Sequence, residues 1–411
     1  MNAPERLTRH ARPLATGGDL LARMSARSFR RVLDRIDAGL EAGALHAILP
    51  DGTRRTLGGR APGPECHVHL RHWRALVRLA TTGSVGWYEA WARGEWDSPD
   101  PVPLFALFMR NGVSLGNVAR AKGLWRVLNA VSHALRANAP GRARRNIEAH
   151  YDLGNDFYAA WLDETMTYSS AVFAGEEALA DAQARKMRLL LDRLALRPGQ
   201  RLLEIGCGWG GLMEVAARER QVEVTGLTLS SEQKAWADAR LTGLPARVLL
   251  EDYRHHAGAY DAVVSVEMAE AVGREYWPTY LEAIARALTP GGRAALQFIS
   301  IDHRLFPAYA RSADFIQAYV FPGGMLIDEP EFCAAAQAAG LRWTDRVGYG
   351  LHYAETLRLW RERFDAAVAE RRLPPGFDER FVRLWRYYLM YCEGGFRGQG
   401  IDVAQVTLVK A

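Results

Sequence analysis

The sequence predicts an α/β protein, a Rossmann-like parallel sheet that carries the ligand site, joined to a smaller mixed domain at the N-terminus. Three observations predict it. RLLEIGCGWGG at 201–211 is an apolar strand running straight into a glycine turn, the form in which open parallel sheets hold a nucleotide. From about residue 146 strand and helix patterns alternate, as a parallel sheet requires. The length of 411 residues exceeds one comfortable hydrophobic core, so two domains are expected.

Along the chain, residues 1–110 read as the smaller domain. AILPDGTRRTLGG contains Asp51-Gly52, a hairpin turn signal. GSVGWYEAWARGEWDSPDP follows, with Trp87, Trp91 and Trp96. Residues 111–145 read as a basic helical linker. Within 101–147 no acidic residue occurs, whereas Arg110, Arg120, Lys122, Arg126, Arg136, Arg142, Arg144 and Arg145 do, and Leu124, Leu128, Val131 and Leu135 recur at helical spacing. Such a helix suits anionic lipid heads; a linker packed on its own domain fits the pattern too. No base-stacking module or reading helix accompanies the charge, so nucleic acid is not expected as a partner.

The domain at 146–411 has strand candidates at 201–205, 222–227, 246–250, 262–266 and 293–299, helix candidates at 231–240 and 276–288, and a turn at 289–292. An insertion at 302–327 is rich in Phe and Tyr, which suits either packing or the walls of an acyl tunnel. Four cysteines lie far apart, with no spacing for zinc, so neither a metal site nor a disulfide framework is expected and the setting reads as cytoplasmic. No run reaches the roughly 18 apolar residues of a membrane span.

The glycine spacing is GxGxGG rather than the dinucleotide GxGxxG, and Glu204 stands just before Gly206 and Gly208. An acidic residue there, with GLTLS one strand later, fits a nucleoside better than a pyrophosphate and suggests S-adenosylmethionine. A ligand-free strand-to-helix turn would share the glycines. Ligands sit beyond the carboxyl ends of parallel strands. Thr228 and Gln233 could there meet a ribose, and Asp252 an adenine amino group.

The segment HYDLGNDFYAAWLDETMTYSSAVF at 150–173 resembles the cyclopropane-fatty-acyl-phospholipid synthases and their mycolic acid relatives. The resemblance continues through LEIGCGWGG, GLTLSSEQ, EDYR, VVSVEMAEAVG, FPGG, GLHYAETLRLWRERF and RLWRYYLMYCEGGFRGQGIDVAQVTL, over about 260 residues in order. The Trp-rich segment is similar to the N-terminal domain of the phospholipid-acting members, which implies a lipid-binding type of domain at 1–110. The resemblance implies a methyltransferase fold and transfer of a methyl or methylene group to the cis double bond of a phospholipid acyl chain, with cyclopropane as the usual product. It also implies a peripheral enzyme of the inner membrane with anionic phospholipid as substrate and surface; a homodimer is compatible with it.

In ring-forming members of the family the base that resolves the carbocation is a bicarbonate, held by a cysteine position, a glutamate, a histidine, a tyrosine and nearby backbone. Glu270 matches that glutamate, Tyr353 the tyrosine and Ile299 the backbone position. Tyr168 and Ser169 fall on cofactor-binding positions. Four residues depart: Ser170 replaces the cysteine, Gln297 the histidine, Glu267 a glycine, and Ala271 a histidine that follows the glutamate. Losing a histidine and gaining a carboxylate makes the pocket less hospitable to an anion. Glu267 is therefore a candidate base, and a methyl-branched or methylene product stands beside the cyclopropane. Ser170 and Gln297 remain competent to hold bicarbonate by neutral hydrogen bonds. A methyltransferase acting on O or N of a small molecule, and a lipid-binding protein without catalysis, are the other classes the sequence leaves open.

Overall fold

The computed structural model describes residues 26–116 and 153–411. Most of the expected basic linker, including Arg142, Arg144 and Arg145, lies outside these residues. The chain divides into two compact units.

The first unit takes its described N-terminal part together with Asp302–Pro322 and Gly376–Ile401. Two stretches expected within a continuous 146–411 domain thus pack with the N-terminal elements. The reason is aromatic burial: Phe315 and Tyr387 each lie 4.8–4.9 Å from the ring of Tyr88, and Phe315 and Tyr387 are wholly buried. These contacts account for Phe315 of the insertion as packing. The unit's sheet has the order β2-β1-β3-β4, from β1 (Ala44–Ile48), β2 (Arg54–Gly58), β3 (Glu65–Leu70) and β4 (Trp96–Asp97). The expected hairpin joins β1 and β2 antiparallel. Its turn closes where Asp51 Oδ1 accepts the Thr53 N–H at 3.0 Å. Trp96 is fully buried against Trp87, ring centroids 4.4 Å apart.

The second unit holds β5 (Arg201–Ile205), β6 (Glu223–Thr228), β7 (Ala246–Leu250), β8 (Tyr260–Val266), β9 (Leu288–Ile301), β10 (Leu341–Gly348) and β11 (Ile401–Lys410). Their order is β10-β11-β9-β8-β5-β6-β7. The strands from β5 to β9 pair in parallel. β10 and β11 pair antiparallel, which makes the sheet mixed where the sequence suggested a parallel one. Thr289-Pro290-Gly291-Gly292 is not a turn before β9 but a bulge within it: Tyr260 pairs with Leu288 and Ala262 already with Arg293. Proline and glycine there cannot keep the ladder, and the extra residues loop out. Apolar residues of β5, β6 and β8 pack on the helices Leu179–Arg193 and Gly211–Arg220, with Leu190, Leu202 and Val264 fully buried. Each such side chain contributes about 1.5–3 kcal/mol over exposure.

All four cysteines are free thiols. Burial pushes the Cys207 thiol well above its ordinary value, which fits a small filler at the glycine turn rather than a nucleophile. Among the described residues no helix is long and apolar enough to cross a membrane.

Candidate active site

The parallel strands end on one side of the sheet, and the candidate residues gather there. Glu204 is in β5, the glycine turn follows it, Thr228 ends β6, Glu267 follows β8 and Gln297 lies in β9. Tyr353 is in the first turn of the helix Gly350–Ala369.

The glycine turn fits a nucleoside ligand. Gly206 and Gly208 adopt φ of 80° and 51°, a region costly for residues with a Cβ. A Cβ at Gly208 would project into open space with no atom within 4 Å. Glu204 is buried, and its Oε2 has no hydrogen-bond partner. Burial pushes its pKa up to about 8, against the pull of the Lys186 charge. An unmatched buried carboxyl beside an open glycine cradle suits the cationic end of S-adenosylmethionine. Thr228 donates its hydroxyl to Gln233 Oε1 at 2.9 Å, and Ser230 caps the helix Ser231–Arg240. The Asp252 carboxylate faces Arg254 instead, accepting its N–H and Nε at 3.0 and 2.9 Å. An adenine amino group would have to share it.

Tyr168 packs tilted against Tyr158 and Trp360 and edge-on to Trp161, ring centroids 5.2–5.7 Å apart. The neighbouring Ser169 is clamped from the helix Leu179–Arg193: Lys186 Nζ donates to its Oγ at 2.6 Å, and Gln183 Nε2 to its carbonyl at 2.8 Å. The Ser170 hydroxyl turns away, donating to the Ala171 carbonyl at 3.0 Å.

At the centre is Glu267. It holds φ of 50°, a left-handed conformation that costs a side-chain-bearing residue about 1–2 kcal/mol and that suits the glycine of the family pattern. Its Oε1 accepts the Ser170 N–H and Gln297 Nε2, each at 2.8 Å, and its Oε2 accepts the Tyr353 hydroxyl at 2.8 Å. Burial pushes the Glu267 carboxyl above the ordinary range; the Lys186 charge and then the three donors pull it back. Glu270 accepts the Ile299 N–H through Oε1, while its Oε2 is buried without a partner. Burial, then the Glu267 charge, push Glu270 up to about 8. The two carboxyls are therefore unequal: three donors and the Lys186 charge favour the charged form of Glu267, while burial and the Glu267 charge favour the neutral form of Glu270.

That inequality has a stability consequence. Folded Glu270 holds a proton that the unfolded chain releases between 4.5 and about 8. The folded state binds more protons there, so this contribution is full below 4.5 and is lost as pH rises through 8. Glu270→Gln is expected to flatten the fall in melting temperature between pH 5 and pH 8; an unchanged slope would show that Glu270 does not hold that proton.

Lys186, Gln183 and Gln405 were not singled out from sequence. Lys186 could have been: the buried face of its helix runs Leu179, Ala182, Gln183, Lys186, Met187, Leu190 and Leu191, and a lysine within an apolar stripe requires a partner.

The glycine cradle at the carboxyl ends of a doubly wound sheet, with a buried acidic residue beside it, defines an S-adenosylmethionine-dependent methyltransferase. The family model described as mycolic acid cyclopropane synthetase matches residues 139–406, and the chain belongs to that family. It is 39% identical to the tuberculostearic acid methyltransferase UfaA1 of Mycobacterium tuberculosis, over 95% of this chain and 92% of that protein. It is 35% identical to the cyclopropane-fatty-acyl-phospholipid synthase of Escherichia coli, over 85% of this chain and 89% of that one. Among solved structures, the mycolic acid cyclopropane synthase CmaA1 complexed with SAH and CTAB matches with a TM-score of 0.60 at 33% identity, over 65% of this chain and 98% of that one. The protein is thus an enzyme that uses S-adenosylmethionine to transfer a one-carbon group to lipid acyl chains.

Proposed function

We propose that the enzyme methylates the cis double bond of an unsaturated acyl chain in a membrane phospholipid and ends the reaction without closing a ring, leaving a methylene or methyl-branched chain. S-adenosylmethionine supplies the electrophilic methyl group. The observation that carries this reading is the Glu267 carboxylate seated on Ser170 N–H, Gln297 Nε2 and Tyr353 OH. These are positions that the family resemblance gives to bicarbonate. With Ile299 N–H bound to Glu270 as well, protein carboxylates take the donors an anion would need, and a further negative charge would be repelled.

Once one alkene carbon carries the new methyl group, its neighbour carries positive charge. The Glu267 carboxylate stabilises that charge and then accepts the proton. Three donors make Glu267 a weaker base than a loosely held anion. The secondary cation then has time to become tertiary by a hydride shift to the charged carbon. Loss of a proton from the methyl group gives a methylene; loss from the chain gives a methyl-alkene. Similarity to the tuberculostearic acid methyltransferase over nearly the whole chain supports this outcome.

The test uses S-adenosylmethionine with a trideuterated methyl group and vesicles of unsaturated anionic phospholipid. The expected product is cleaved by ozone at a methyl-derived or adjacent double bond. Two retained deuteriums mark the methylene, and three the methyl-alkene. An ozone-resistant product with two deuteriums is the cyclopropane, and it would overturn the reading. The substrate's place in a bilayer implies work at the cytoplasmic surface of the inner membrane.

A further inference from the structure

The donors that hold Glu267 continue outward as a chain that no step of the reaction uses. Gln297 gives Nε2 to Glu267 Oε1 at 2.8 Å and to Ser170 O at 3.2 Å. Its own Oε1 accepts from Gln405 Nε2, on the adjacent strand β11, at 3.0 Å. Gln405 Oε1 in turn accepts from Arg193 Nε at 3.2 Å. The glutamines are 2% and 0% exposed, whereas Arg193 sits half-buried at the end of its helix.

Arg193 is itself pinned. Its Nη1 donates to the carbonyl of Asp345 at 2.5 Å. Asp345 lies where the pairing of β10 with β11 slips between Thr344 and Val347, and it holds φ of 54°. A bulge of this kind re-aims one residue of a strand, and here it presents a carbonyl to the guanidinium.

An amide can be built either way round, but a guanidinium only donates and a carboxylate only accepts. With those two ends fixed, each glutamine has one orientation, carbonyl toward Arg193 and NH2 toward Glu267. Reversing Gln297 sets its oxygen against Glu267 and the Ser170 carbonyl. Reversing Gln405 sets oxygen against oxygen and N–H against N–H. Such clashes in a dry interior are costly, and aligned bonds strengthen one another.

We propose that Arg193 and Gln405 are positioning residues that act through Gln297 to keep the Glu267 carboxylate ionised and aimed. The catalytic part of this rests on Glu267 being the base; the effect on the carboxylate does not.

The test compares Arg193→Leu and Gln405→Leu with the wild type. Binding of S-adenosylmethionine should stay within about twofold, and at pH below the Glu267 midpoint kcat should fall by up to about tenfold with little change in lipid KM, since one pKa unit corresponds to a factor of ten there. Arg193→Lys, which keeps a charged donor, should recover part of the loss. Independently of turnover, the Glu267 carboxyl carbon is followed by 13C NMR against pH, its signal assigned by its disappearance in Glu267→Gln. Its midpoint should move up by about one unit in both leucine variants and stay in place in Arg188→Leu, an exposed change on the same helix. Arg193 is near the surface, so its variant carries the test even if Gln405→Leu does not fold. Wild-type midpoints in the folded leucine variants would overturn the proposal. Moved midpoints alongside full activity of Glu267→Gln would uphold the positioning and remove the base; unmoved midpoints alongside an inactive Glu267→Gln would do the reverse.

Discussion

Glu267→Gln is expected to bind S-adenosylmethionine as the wild type does and to lose turnover by about 10²- to 10⁴-fold, the usual worth of a positioned base. The glutamine is nearly the same size; with its oxygen in the Oε1 position it can still accept from Ser170 N–H and Gln297 Nε2, and its NH2 can donate to the Tyr353 oxygen. What it lacks is a charge to face the cation and an oxygen basic enough to take the proton. Rates on unsaturated phospholipid vesicles, with cofactor affinity from calorimetry, check this. Turnover within a few-fold of wild type would show that the proton leaves by another route. The fold should tolerate the change, because it leaves the backbone as it was and removes a charge from a half-buried position.

Lys186→Met should have the second largest effect. The lysine is 1% exposed, and burial pushes its pKa down to about 8 against the pull of Glu267, Asp163 and Glu204. Its charge is in turn the largest influence holding the Glu267 carboxyl down. In the wild type the rate should rise with pH as Glu267 ionises and fall above about 8 as Lys186 loses its proton. Without the lysine, Glu267 keeps its proton to higher pH, so the rising limb moves up and the fall at about 8 disappears. At neutral pH kcat should drop by about 10- to 100-fold, the cost of a base held mostly in its protonated form. The pH profile separates this from a loss of packing: a variant uniformly slow at every pH, with both limbs in place, would show that Lys186 only secures Ser169.

The sheet was legible where short runs are bounded by clear turn and cap signals. β5, β7 and the helix Ser231–Arg240 fall where the sequence placed them, since an apolar run bounded by glycine, proline or a capping serine admits few other readings. β10 and β11 were not read, because half-polar strands such as Leu341–Gly348 lack a continuous apolar run. The pieces at 302–322 and 376–401 were placed in the wrong body for a related reason: aromatic side chains announce burial but not the partner that buries them. In the site, Glu267, Ser170 and Gln297 stood out as departures from a family pattern rather than through any physical signal of their own. Their arrangement around one carboxylate involves a left-handed backbone at Glu267, which the glycine of the family pattern signals and the glutamate itself does not. Lys186, Gln405 and Arg193 are polar residues bound to polar residues far along the chain, up to 212 positions apart for Arg193 and Gln405, and such pairings become visible only in the fold.

In the proposed reaction the Glu267 carboxylate stands where the family resemblance places a bicarbonate. The most direct measurement is the rate on unsaturated phospholipid as bicarbonate is varied, from buffer stripped of carbon dioxide upward, for the wild type and for Glu267→Gly. Glycine suits the φ of 50° and vacates the three donors. The wild-type rate should be flat in bicarbonate, and the glycine variant should be nearly inactive without it and recover as it is added. A wild-type rate that falls when bicarbonate is stripped and returns when it is restored would contradict the account.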